Sequence, residues 1–381
     1  MRRPAAVAIV LVLLVALFSP AWVQAQTGTP VPSAQPVGTL VADGIANPRG
    51  FTWGADGTLY LAVSGTGGDT PGPEGSPFSG GDTASVAVVR DGTVTTLADG
   101  LPSSIWRDID WVWGVMDVAI LGDQLYALIG GGGAVHGNPD TPSGVYTVNA
   151  DGTTSLLADL GTWVDENPVA HTPPEGAPNN GSFFAMVPVG EALWVVDAVN
   201  GQVLQTTPSG EITRIADLSD GHPVPSGITA DPNGGAYVSY LTAAPFVAGS
   251  SRVSHVSMDG TVEDVWTGLT TVTAVTLSPD GTLYATEMSS EISAAEPFLT
   301  RNTGRVMRQT GPNSMEEVAS GLDLPVAARF GPDGALYVAL PAFGANDGTD
   351  SVVRLDEAAT QGATGTAMAT PLATPVASST G

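Results

Sequence analysis

One short phrase recurs along this chain and limits what it can fold into. Its cleanest copy reads Ser278-Pro279-Asp280-Gly281-Thr282-Leu283-Tyr284. It returns as Gly331-Pro332-Asp333-Gly334-Ala335-Leu336-Tyr337 and Gly54-Ala55-Asp56-Gly57-Thr58-Leu59-Tyr60. Looser copies are centred on Leu125-Tyr126, Leu193-Trp194 and Ala236-Tyr237. Asp starts a tight turn, Gly takes a positive φ that a Cβ would oppose, and an apolar strand follows. Six copies of one supersecondary unit define a repeat fold. The gaps between copies are 66, 68, 43, 47 and 53 residues, the spacing of four-stranded propeller blades.

A second hairpin follows each phrase. Its turns are Asp91-Gly92, Asp151-Gly152, Ser209-Gly210, Asp259-Gly260 and a longer one around Gly311. Each unit is therefore four antiparallel strands, a to d, and the chain reads as an all-β, six-bladed propeller over 38–357. The last unit has its strand c at Ser351–Leu355 but no strand d. Thr39–Ala42 matches the strand d signature around Leu97-Ala98-Asp99-Gly100, so the N-terminal strand is expected to close the ring.

The ends read differently. Arg2 and Arg3 before an apolar run, then Val23-Gln24-Ala25, predict a signal peptide over 1–25 cleaved after Ala25. A secreted, extracellular or envelope location is expected, with no membrane insertion after cleavage. Residues 26–37 form a Pro/Thr/Ser linker, and 358–381 a disordered Thr/Ala/Pro tail. The chain has no Cys and no Lys, which excludes thiol nucleophiles, Cys-bound metals and lysine Schiff bases. After cleavage ten Arg face 38 Asp and Glu, a formal charge of −28. Such a field repels nucleic acid and anionic membranes. The expected partner is a small molecule or an extracellular polymer, and the expected state is a monomer.

In a propeller the a–b and c–d turns share one face, and the b–c loops and d–a crossovers share the other. Almost every long segment belongs to the second set: b–c loops at 65–83, 130–143, 243–250, 289–303 and 342–350, and crossovers at 102–113 and 161–181. That face is the functional one, since rigid scaffolds place binding residues on loops. Trp106, Arg107, Asp108, Asp110, Trp111 and Trp113 lie within eight residues of one crossover and suit an apolar or sugar-like ligand. A loop merely anchored by its Trp side chains has the same composition. Asp165-Glu166-Asn167, His171 and Asn179-Asn180 offer oxygen and imidazole donors for a divalent cation such as Ca²⁺, and Asx turns use the same residues. Asp117 interrupts an innermost apolar strand and is the best single carboxylate for a metal or a general base. The predicted site is the channel mouth between 106–113 and 165–180.

Several phrases resemble the ScyD/ScyE family of secreted bacterial propellers. They are Asn47-Pro48-Arg49-Gly50, Asp165-Glu166-Asn167-Pro168, Asp197-Ala198-Val199-Asn200, Val224-Pro225-Ser226-Gly227, Leu241-Thr242-Ala243-Ala244-Pro245-Phe246 and Leu269-Thr270-Thr271-Val272-Thr273. The likeness spans Gly38 to Leu355. Asn167, His171 and Asn200 are further ligand-binding candidates. Asn179-Asn180-Gly181 departs from the family's Asn-Pro-Tyr, and Ala274 stands where an Asp often follows. The resemblance implies fold and export more than a reaction. Three functions follow in order of preference. The first is a non-catalytic binding protein. The second is a metal-dependent hydrolase or lactonase like the gluconolactonase and strictosidine-synthase propellers, with Asp117, Asn180 and Glu287 as metal candidates. The last is a quinone-dependent sugar dehydrogenase, disfavoured by the scarcity of basic residues.

Overall fold

The computed structural model describes residues 38–173, 181–343 and 350–355. Six antiparallel sheets form the six blades of a β-propeller. The innermost strands a are Pro48–Trp53, Val115–Leu121, Phe183–Val189, Pro225–Ala230, Val272–Leu277 and Ala327–Phe330. Strand b begins at each recurring phrase, as in Leu283–Glu287 and Leu336–Leu340.

The turns form as the sequence dictates. Asp280 Oδ1 accepts the Thr282 amide at 3.1 Å, and Gly281 takes φ +84°. The same side chain to i+2 amide bond is made by Asp56, Asp151, Asp259 and Asp333. Where the fifth c–d hairpin was expected to have a longer turn, Gly311 pairs directly with Ser314, so Pro312 and Asn313 complete a tight one.

Ring closure is as expected. Thr39 pairs with Arg354, Leu40 with Val353, Ala42 with Val352 and Asp43 with Ser351. The N-terminal strand Thr39–Asp43 is thus the outermost strand of blade six. Alternation along the strands sends apolar side chains to both faces of each sheet, and buried clusters fill the joints between blades. Val86, Val118 and Ala127 pack between blades one and two; Leu128, Met186 and Val195 between two and three. The joint between blades six and one holds Phe51, Leu61, Ala339 and Val352. Its cluster runs on beyond the blades to Trp111, Trp113, Met288 and Phe343.

The 102–113 segment is a paired ribbon rather than a crossover loop. Strand c of blade one starts early, at Phe78, and strand d runs on to Trp106; Phe78 pairs with Trp106. A fifth strand, Trp111–Trp113, folds back along it, with Trp106 opposite Trp111. The intervening Ser79-Gly80-Gly81-Asp82-Thr83 has no apolar alternation, so no strand was legible there. Aromatic edges hold the ribbon: Phe78 meets Trp106 at 5.9 Å and Trp113 at 5.1 Å. The 161–181 crossover begins with a short helix, Leu160–Glu166, capped by Asp159 through the Thr162 amide. Among the described residues no helix is long and apolar enough to cross a membrane.

Candidate functional site

One narrow cavity in the channel is lined by all six inner strands, through residues that include Gly50, Asp117, Ala185, Gly227, Ala274 and Arg329. Its lining leaves about 40 Å³ to the centre of a water molecule, room for only a few waters. Five inner strands carry a register shift near their first residues. Gly50, Asp117, Ala185, Gly227 and Ala274 lie at these shifts: four small residues and one carboxylate. A Cβ on Gly50 would stand 1.9 Å from Asp117 Oδ1, so the carboxylate occupies space that only glycine leaves.

Asp117 is 1 % exposed. Its Oδ1 accepts the Val118 amide at 2.8 Å; its Oδ2 accepts the Met186 amide at 2.8 Å and Arg329 Nη2 at 2.6 Å. Burial pushes the Asp117 carboxyl above the usual carboxylate range, and the Arg329 charge and two amides oppose the rise. Arg329 comes from blade six and reaches across the channel. It also donates to the carbonyls of Phe51, Val118 and Met186, in blades one, two and three. Acid and base are therefore bound to each other, and together they tie four blades.

Arg49 is buried and donates to the carbonyls of Pro48 at 3.1 Å and Val112 at 2.9 Å. Burial brings its pKa down to about 10, against the attraction of Asp350, so it stays charged at neutral pH. Its guanidinium lies 5.6 Å from the centroid of the Trp111 ring. The bond to Val112 fixes the ribbon to strand a of blade one. Trp111 also contacts Phe184 of blade three at 5.9 Å and Phe343 of blade six at 5.5 Å. Since Arg49 and Phe184 also line the channel, the ribbon lies over its long-loop mouth.

Beside the ribbon is an apolar recess of about 340 Å³. Blade one supplies Trp106, Ile109 and Trp111, and blade three supplies Phe184. Leu241 and Phe246 come from the b–c loop of blade four, Met288, Phe298 and Leu299 from that of blade five, and Phe343 from that of blade six. Phe298 has φ +66°, an outlier for a bulky side chain and a kind of backbone strain that collects at binding sites. Among the described residues the buried indole N–H groups of Trp106 and Trp111 have no acceptor.

The remaining candidates are distributed as follows. Asp108 and Asp110 line a second recess adjoining the first. Arg107 points away, to the Gly68 carbonyl and to Asp69 at 2.7 Å. Trp113 lies beneath the mouth, its Nε1 3.2 Å from Ser182 Oγ. Asn167 ends the short helix, with Nδ2 on the Trp163 carbonyl at 2.9 Å. The His171 amide bonds Ser219 Oγ, and Asn200 Nδ2 bonds Asp197 Oδ2 at 2.7 Å. None of these last three lines the recess. Glu287 is buried in blade five; Oε1 accepts the Thr270 amide at 2.8 Å and Oε2 accepts Arg305 Nε at 2.5 Å. Burial pushes its carboxyl up, while Arg305 and the amide oppose. It fastens the crossover between blades four and five, while Asp197 fastens the crossover that leads into blade three through the Ser182 amide. Asn180 lies outside the described residues. Asp117 and Glu287 thus sit on different blades, each bound to its own arginine. Among the described residues no three His, Asp or Glu side chains group as metal ligands.

The recess residues from blades four to six were not anticipated. A signal existed: Pro77-Phe78, Pro245-Phe246, Pro297-Phe298 and Pro341-Ala342-Phe343 recur in four b–c loops. All four phenylalanines pack at the mouth or under its ribbon.

Neither a protein-family model nor a curated protein matches the chain in sequence. Solved structures do match in fold. A structural genomics protein of unknown function from Bacteroides thetaiotaomicron is 12 % identical, with a TM-score of 0.53 over 82 % of this chain and 74 % of its own. A Thermus thermophilus protein described as an oxidoreductase (glucose dehydrogenase) is 16 % identical, with a TM-score of 0.53 over 83 % and 98 %. The PQQ-bound aldose sugar dehydrogenase of Streptomyces coelicolor is 11 % identical, with a TM-score of 0.51 over 83 % and 95 %. At these identities the likeness is one of fold alone.

Proposed function

We propose that this chain is a secreted propeller of the ScyD/ScyE type that binds a small apolar or aromatic molecule at the channel mouth and does no covalent chemistry on it. The observation that carries the reading is the recess walled by Trp106, Trp111, Phe184, Phe246, Phe298 and Phe343 from five blades. A concave, mostly aromatic site on rigid supports is what a small-molecule binder needs. The carboxylates that a hydrolase would direct at a metal or a water, Asp117 and Glu287, are each held by an arginine and a backbone amide.

Titration with N-phenyl-1-naphthylamine, a neutral apolar fluorophore, tests the reading. One probe should bind per chain. Phe246→Ala, at the half-buried rim, should weaken binding by about tenfold, the loss typical of an aromatic anchor. An absence of binding, or equal affinity in the variant, would refute the assignment. For export, the mature chain should begin at Gln26 in material recovered outside the cytoplasmic membrane.

A further inference from the structure

Beside the apolar recess lies a second one, of about 380 Å³, and the two share Ile109, Glu296, Pro297, Leu299 and Phe343. The second recess adds Asp108 and Asp110 from the ribbon, and Glu296 stands on the wall between the two. All three residues are exposed. Among the described residues none of the three carboxylates has a hydrogen bond or an ion pair within the protein. Among the described residues that line it the one basic residue is Arg301, and its charge is matched by Asp323, with Nε 3.0 Å from Oδ1 and Nη2 2.5 Å from Oδ2. The aromatic recess therefore opens onto an unneutralised negative shelf, in a chain whose overall charge has the same sign.

Resting on the binding function proposed above, we infer that the ligand is a hydrophobic cation: an aromatic or apolar body that fills the recess, joined to an ammonium or similar charge that lies against Asp108, Asp110 and Glu296. Apolar lining alone would accept a neutral molecule equally. The carboxylates add attraction for a cation and repulsion for an anion of the same shape, so they set specificity. The acidic field also steers a cation toward the mouth before contact.

Three naphthalene probes of one shape test this: 2-naphthylmethyl-trimethylammonium, 2-naphthylmethanol and 2-naphthylacetate, titrated by calorimetry at low and at high salt. The ammonium should bind about tenfold tighter than the alcohol at low salt, and the acetate weakest, since charges near the surface act strongly only until salt screens them. The advantage should shrink at high salt. In the double variant Asp108→Asn, Asp110→Asn the ratio of ammonium to alcohol affinity should fall several-fold. Asn tolerates the left-handed φ of +52° at Asp110, so the turn is kept. Equal affinity for ammonium and alcohol, tighter binding of the acetate, or an unchanged ratio in the double variant would overturn the inference and leave the binding function standing. If none of the probes binds, both readings fall.

Discussion

Replacing Arg329 by Met tests what holds the ring in register. The guanidinium leaves one blade and bonds groups on three others, so its loss acts on the joints and not on one sheet. Asp117 would keep its two amide donors but lose its counter-charge while still 1 % exposed. Removing one partner of a buried ion pair costs about 3–5 kcal/mol, because the other charge stays buried. At about 2 °C per kcal/mol for a chain of this size, the melting temperature should fall by roughly 6–10 °C. Arg90 is the control: it stands 3.8 Å from Asp56 with both side chains mostly exposed, and Arg90→Ala should cost about 1 kcal/mol or less. Adding Asp117→Asn to Arg329→Met should recover part of the loss, since it removes the stranded charge. The deficit should also depend on pH. The Asp117 carboxyl is already raised by burial, and without Arg329 it rises further. A carboxyl whose folded pKa lies above its unfolded value stabilises the native state when protonated, and that contribution is lost as pH rises through the folded pKa. The gap between wild type and variant should therefore narrow toward acid. Thermal melts at pH 7 and pH 4 read both effects. The reasoning fails if Arg329→Met melts no lower than Arg90→Ala, or if Asp117→Asn recovers nothing in its background.

Two other outcomes are expected. A chain starting at Asn47 would lack the strand paired with Ser351–Arg354 and leave that edge open, so it should aggregate or melt far lower; unchanged melting and solubility would remove the closure argument. The turn carboxylates should produce acid lability. Asp259 is held down to about 2 by the Ser257 hydroxyl and then the Thr261 amide, and Asp56, Asp151 and Asp280 are also lowered by bonds within their turns. A depressed carboxyl contributes stability above its unfolded pKa that is lost as pH falls through the folded one. Melting temperature should therefore decline between pH 4 and pH 2, less steeply in Ser257→Ala; identical profiles would count against the turns.

The fold was legible because its information is local and repeated. An Asp-Gly turn followed by Leu-Tyr states a hairpin within seven residues, and six copies state the ring. Closure was legible too, since Leu40-Val41-Ala42-Asp43-Gly44 has the pattern of a strand whose partner is elsewhere. The ribbon was not, because the first of its strands runs through Ser79-Gly80-Gly81-Asp82-Thr83 without apolar alternation, and the ribbon is held by aromatic rings distant in sequence. Trp106 and Trp111 could be picked out by composition. Composition marks their neighbours Phe246, Phe298 and Phe343 only as one aromatic residue in each loop, and the recurring Pro before each gains its meaning once the ring brings the loops together. The sequence favoured the crossover after blade two as the other wall of the site, but the recess lies toward blades four, five and six, whose b–c loops carry Pro245-Phe246, Pro297-Phe298 and Pro341-Ala342-Phe343. The channel carboxylate shows a further limit. Asp117 in an apolar strand looks the same whether it awaits a metal or an arginine, and Arg329 lies 212 positions away.

That pairing bears on how the mouth works. Walls contributed by five blades keep their shape only if the blades keep their relative positions. The channel contacts supply that constraint in two steps. Arg329 and Asp117 join blades six, one, two and three below the mouth, and Arg49 joins the ribbon to blade one through the Val112 carbonyl and the Trp111 ring. Polar groups buried in the channel thus act on the geometry of an apolar site that they do not line. The phrase Asn47-Pro48-Arg49-Gly50 belongs to the same device. The Asn47 amide bonds Asp350 at 2.8 Å, Arg49 holds the ribbon, and Gly50 makes room for Asp117. A loosened channel should therefore weaken probe binding at the mouth even in variants that leave every recess side chain in place. If Arg329→Met bound the neutral fluorophore with wild-type affinity at a temperature well below its melting point, the recess would be shaped by its own loops alone.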